Sequence, residues 1–174
     1  MKILSAILTI FIIQSCGPKN NKGTFKSQLV DSQSSQPSIK PFKLTVYNSN
    51  YSLGYALQYI LTDKQLQITY KGELEGESDS TLFRVALKPS YVLHKLSSID
   101  IHSLQEYYSN PCIKDGSQLR VKVDTGNESK TIQLSNYYQA DIGLAIVLIN
   151  SLSPKRYEIW YDKATLLKDQ ENCK

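Results

Sequence analysis

The sequence predicts an α+β fold. One domain over residues 42–174 holds an antiparallel sheet of about six to seven strands, packed against one buried helix and two short helices. Three observations predict it. Short runs of alternating apolar and polar residues recur, each of strand length. Turn residues separate several of them at hairpin spacing. One longer run, residues 139–152, instead repeats its apolar residues at helical spacing. Strand–helix–strand repeats, which would announce a parallel sheet, are absent.

Taken in order, the first strand lies just past Pro41. Phe42, Leu44 and Val46 face one way, and Lys43, Thr45 and Tyr47 the other. Residues 55–61 and 66–70 flank Thr62-Asp63-Lys64-Gln65 and predict a hairpin. A helix over residues 52–61 is the competing reading, from Leu53, Leu57 and Ile60; Gly54 and the nearby tyrosines weigh against it. A polar acidic connection over residues 71–79 leads to a strand over residues 82–87, with Phe83, Val85 and Leu87 on one face.

Asp100 is placed to cap a short helix over residues 101–108, where Ile101, Leu104 and Tyr108 recur at helical spacing and Asn110-Pro111 stops it. Leu119, Val121 and Val123 alternate as a strand. Asp124-Thr125-Gly126-Asn127 turns the chain, and residues 131–134 return as a second hairpin. In the helix of residues 139–152, Ile142, Ala145, Ile146, Ile149 and Leu152 form one face, which Leu144, Val147 and Leu148 widen, so deep burial is expected. Tyr157, Ile159 and Tyr161 alternate as a last strand, and Asp162 can cap a closing helix over residues 163–168.

Ahead of this domain, Lys2 is followed by an apolar run over residues 3–13. Its length is about 11 residues, against the roughly 20 a membrane-crossing helix needs. It matches the apolar region of a secretory leader, here residues 1–15. The run ends in Ile13-Gln14-Ser15-Cys16, which resembles the lipobox of bacterial lipoproteins. The resemblance covers the leader alone; the domain resembles no characterised family. It implies cleavage before Cys16, a diacylglycerol on the Cys16 sulfur and an acylated amino terminus. Two or three lipid chains hold a protein stably at a membrane without a span. The plainer alternative is an ordinary secretory signal with an incidental cysteine. Gly17-Pro18-Lys19-Asn20 follows, with neither an aspartate at the first position nor an acidic run. By the same resemblance this points to the outer membrane facing the periplasm, with the cell surface as the alternative.

Residues 16–41 are rich in Ser, Gln, Asn and Lys and lack any period, so they read as a flexible tether. Its reach would be about 25–30 Å. Lys19, Lys22, Lys26 and Lys40 against Asp31 give it +3, whereas residues 42–174 carry 15 basic and 15 acidic residues. Positive charge beside a lipid anchor suits anionic headgroups. A neutral domain argues against nucleic acid as a partner. Of the three cysteines, Cys112 and Cys173 remain after lipidation and read as one disulfide in an oxidising compartment. It would close a loop of about 60 residues, worth on the order of 4 kcal/mol in the chain-entropy account. Two unpaired buried cysteines are the alternative.

Candidate chemistry is sparse. Tyr47, Tyr51, Tyr55 and Tyr59 recur every four residues, a spacing that on one continuous strand would make a flat aromatic surface for a protein, peptide or glycan. Ordinary strand packing, with hydroxyls at the sheet edge, is the simpler explanation, because tyrosine is a good strand residue. Glu73, Glu75, Glu77 and Asp79 offer oxygen ligands, but the Asp-x-Asp-x-Asp-Gly loop of calcium sites is absent and a solvated connection suffices. His94 and His102 are the only histidines, and no motif places a nucleophile beside either. No cofactor or metal is expected. The expectation is a membrane-anchored envelope lipoprotein whose domain is a non-enzymatic binding module. An envelope hydrolase with a dispersed site is one alternative. A small-ligand or lipid carrier, with a cavity between the sheet and the helix of residues 139–152, is the other.

Overall fold

Leu44 and Val46, flanked on both sides by other strands, make β1 (Phe42–Asn50) the centre of the sheet. The computed structural model describes residues 38–50, 55–72 and 74–173. Beyond β1 the chain forms β2 (Tyr55–Thr62), β3 (Gln65–Gly72) and β4 (Ser80–Ala86), then α1 (Tyr91–Leu96) and β5 (Tyr107–Ser109). β6 (Gln118–Thr125), β7 (Glu128–Ser135), α2 (Ala140–Leu152), a short 3-10 turn (Lys155–Tyr157) and α3 (Lys163–Glu171) complete it. Seven strands lie in the order β4-β3-β2-β1-β6-β7-β5. All neighbours are antiparallel except β5 and β7, so the sheet is mixed rather than antiparallel throughout.

Side-chain alternation divides the sheet into two faces. Leu44 and Val46 pair with Leu61 and Tyr59 on one side and with Val123 and Val121 on the other. These residues join Leu66, Ile68, Ile132 and the buried face of α2 in a single core cluster. The helical residues of that core come from two helices, Leu93 and Leu96 of α1 and Ile142, Ala145, Ile146 and Ile149 of α2; Leu166 of α3 is buried outside the cluster. The expected single buried helix is therefore not confirmed as such, since α1 shares the core with α2. α2 is buried along one face only, because Val147 on its outer side remains 65% exposed. Its apolar composition exceeds what one sheet face can cover.

Two further expectations give way. The helix expected over residues 101–108 is replaced by a turn and by β5, in which Tyr107 and Tyr108 pair with Gln133 and Leu134. Asp100 does accept a backbone N–H, from His102 at 3.0 Å, but no helix propagates from it. The actual helix is α1, capped by the Ser90 hydroxyl, which accepts from the Leu93 N–H at 3.3 Å. The last expected strand, through Tyr157, Ile159 and Tyr161, joins no sheet. The Asn150 side chain takes the place of a strand partner. Its Nδ2 donates to the Ile159 carbonyl at 2.8 Å, and its Oδ1 accepts from the Ile159 N–H at 2.9 Å. Both backbone groups of a buried residue are thus satisfied without a ladder.

Close packing fixes the start of α2. A Cβ on Gly143 would meet the Tyr138 ring at 2.5–2.7 Å, so the ring occupies the space a side chain would need. Tyr138 stacks on Tyr161, with ring centroids 5.5 Å apart. The Tyr161 hydroxyl accepts from the Gln139 N–H at 2.8 Å and donates to the Tyr137 carbonyl at 2.9 Å. Burial pushes that hydroxyl up to about 12. Cys112 and Cys173 form a disulfide, with Cα atoms 5.7 Å apart, and fasten the C-terminal helix to the connection after β5.

Candidate functional site: the open face of the sheet

The described helices pack against one face of the sheet; on the other, which we call the open face, Arg120, Gln133 and Tyr107 are exposed, while Thr45, Ala56 and Thr69 are buried. Pairing builds a row across that open face. Tyr47 on β1 lies opposite Arg120 on β6, Arg120 opposite Gln133 on β7, and Gln133 opposite Tyr107 on β5. The row spans three strand spacings, about 14 Å. These four side chains, with Ser49, Gln118 and Ser135 of the next row, line a shallow hollow of about 160 Å³. Tyr107 is 58% exposed. The Tyr47 hydroxyl is held by Gln58, whose Nε2 donates to it at 2.7 Å. Arg120 is exposed, and among the described residues it has no ion pair or hydrogen bond from its side chain. Among the described residues, no acidic side chain lines this hollow.

The hollow sits within a wider field of like charge. Alternation and register place Lys43, Lys71, Arg84, Arg120 and Lys122 on the open face, against Asp124 alone among acidic strand residues there. Asp124 is shared by Lys122 at 3.2 Å and Lys43 at 3.6 Å. Partial burial opposes its ionisation, but hydrogen bonds from Ser129 and Lys122 and the two lysine charges outweigh that and hold the carboxyl below its ordinary value. Lys71 pairs with Asp79, and Arg84 donates to Gln67 at 2.7 Å. A second hollow shares Ser49 and Gln118 with the first and continues past Trp160, but it is lined by Asp115 and Asp169.

The tyrosines do not form the common surface that their spacing suggested. Tyr59 is completely buried; its hydroxyl donates to the Tyr157 carbonyl at 2.8 Å, and burial pushes it up to about 12. Tyr55 shares the Tyr59 face of β2 and stacks on Tyr70, with centroids 5.6 Å apart. Tyr47 points to the opposite face, and Tyr51 lies outside the described residues. The reversal between β1 and β2 breaks the stripe, because residues 47 and 59 pair with Gln58 and Val46.

The histidines lie apart from this face. His102 Nε2 approaches Glu128 Oε2 at 3.2 Å, with both side chains exposed. His94 shares a cleft between α1 and α2 with Asp100, Ser103 and Asp141. There the Ser103 hydroxyl donates to the Asp100 carbonyl at 2.8 Å, and the Ser98 hydroxyl to the His94 carbonyl at 2.9 Å. Among the described residues, neither hydroxyl is bonded to an imidazole. Of the acidic segment, Glu77 accepts from Tyr70 and Asp79 pairs with Lys71, while Glu73 and the lipidation candidate Cys16 lie outside the described residues.

Arg120, Gln133 and Tyr107 were not singled out by sequence reasoning. The outward set of β6 is visible in its alternation. That β6 lies between β1 and β7, which builds the row, is not. No protein-family model matches the chain, and no curated protein matches it.

Proposed function

We propose that this chain is a membrane-anchored envelope lipoprotein whose domain is a non-enzymatic binding module, with the open sheet face as its working surface. One observation carries the reading: Arg120 stands exposed and without a partner among the described residues, in a row between Tyr47 and Tyr107, on the face opposite the described helices. Aromatic rings, amides and a guanidinium are groups that recognise protein, peptide or glycan surfaces. The leader and Cys16 supply the anchor in this reading, residues 16–41 the tether, and the outer membrane facing the periplasm the location, with the cell surface as the alternative.

The hydrolase reading rests on the cleft holding His94, Asp100, Ser103 and Asp141. Its two serine hydroxyls, of Ser98 and Ser103, are each engaged by a backbone carbonyl, which is poor preparation for nucleophilic attack. The carrier reading needs a cavity between the sheet and α2. Leu44, Val46, Val121, Ile142, Ile146 and Ile149, which would line it, are packed in one core cluster.

Two measurements test the proposal. Cys16→Ser should abolish metabolic lipid labelling and leave the leader uncleaved; unchanged labelling would refute the anchor. Crosslinking in intact cells, followed by capture of the full chain, should recover a reproducible protein or glycan adduct that is lost in Arg120→Ala. Equal recovery from both chains would move the working surface elsewhere.

A further inference from the structure

We infer that the open face binds an acidic glycan, a polysaccharide bearing carboxylate, phosphate or sulfate groups, lying across β6 and β1 over Arg120, Lys122 and Lys43. The inference rests on the reading of this face as a binding surface and adds the chemistry of its occupant. Residues 42–174 are neutral as a whole, with 15 basic and 15 acidic residues. Their charge is nevertheless unevenly placed: the open face carries five basic strand residues against Asp124, with Asp79 paired to Lys71. A net positive face of this kind favours partners of the opposite sign and speeds their encounter.

Position narrows the path. Arg120 and Lys122 stand two residues apart on β6, about 7 Å. Lys122 shares Asp124 with Lys43, so the three cations form a continuous edge with one carboxylate at its far end. In the other direction Asp115 and Asp169 line the hollow beside Trp160 and would repel an anion, so the ligand is bounded on that side. Arg120 can offer its planar fork to one carboxylate or phosphate, since nothing among the described residues occupies it.

The neutral groups between the cations favour a glycan over other polyanions. Gln58, Gln118, Gln133 and Thr131 supply amides and a hydroxyl suited to sugar hydroxyls. Tyr47 and Tyr107 provide rings at the margins rather than a continuous stacking platform, which single-stranded nucleic acid would use. Of the large apolar side chains exposed among the described residues, only Tyr107 and the edge-strand Leu82 belong to the sheet. A face that settles into a bilayer would carry more.

The test is equilibrium binding of the full chain, held in neutral detergent micelles. The probes are a uronic-acid hexasaccharide, the same oligosaccharide reduced to its neutral form, and a single-stranded oligonucleotide. Phosphatidylglycerol doped into the micelles serves as a competitor. The uronate oligomer should bind at least tenfold more tightly than its neutral form and weaken steeply with salt. Arg120→Gln with Lys122→Gln should lose tenfold or more, whereas Lys155→Gln with Lys163→Gln, off this face, should bind as the parent does. Equal binding of acidic and neutral oligomers would overturn the inference, as would insensitivity to Arg120→Gln. So would tighter binding of the oligonucleotide, or complete displacement by phosphatidylglycerol. Any of these, with the crosslinked adduct at Arg120 still formed in cells, would leave the binding-module reading standing and remove only the acidic glycan.

Discussion

At Asp124 two lysines and a serine converge on one carboxylate that is itself partly withdrawn from water. Its ionised form is favoured in the folded state, so its folded pKa lies below the unfolded value. The stabilisation is therefore fully present above the ordinary carboxylate range and lost as pH falls through the lowered folded pKa. Asp162, whose carboxylate accepts from the Thr165 N–H at 2.7 Å, acts with the same sign. The urea midpoint should be level near neutrality and decline below about pH 4. Asp124→Asn should lower the neutral-pH midpoint and flatten the decline; an acid limb identical to the parent's would contradict this account. Some residue roles were plain in the sequence. The two cysteines of the domain, Cys112 and Cys173, pair as expected, and Asp162 caps a helix. Tyr59 was not legible, because a tyrosine on a strand suits either face until its pairing with Val46 is known.

Elements whose signals are local survived the passage from sequence to structure. The hairpin β2–β3 turns where Thr62-Asp63-Lys64-Gln65 predicted, and β6–β7 turns at Gly126, which adopts φ +64°. Elements that depend on distant partners did not. The extended segment around Ile159 has the alternation of a strand, but Asn150 satisfies its backbone. β5 has only three residues and is held by parallel pairing to β7, a long-range contact that no short pattern announces. α2 offers a direct test of packing over propensity. Alanine is the better helix former by about 1 kcal/mol, so Gly143→Ala would stabilise an isolated helix. Here the added methyl collides with the Tyr138 ring, and the net effect should be a loss of about 1–3 kcal/mol in urea unfolding. Combining it with Tyr138→Ala should cost less than the two single losses together. A stabilised Gly143→Ala chain would show that the ring yields freely.

For the whole molecule, the decisive property is how charge is distributed, and a sum conceals it. The neutrality of residues 42–174 argued against nucleic acid, yet the register of β1 against β6 and of β3 against β4 gathers the basic residues on one face. Folding separates signs that lie mixed along the chain, since alternation sends neighbouring residues to opposite faces. The strand alternation was legible; the neighbour order β2-β1-β6-β7 was not, and the site depends on that order. With helices on the other face, the account makes the open face the one that meets a partner. The most direct test places a photocrosslinking residue at Tyr107 on the open face, or at Val147 on the outer side of α2, in the full chain in intact cells. The account predicts a reproducible adduct from position 107 and none from position 147. An adduct from position 147 alone would contradict it and move the working surface to the helices.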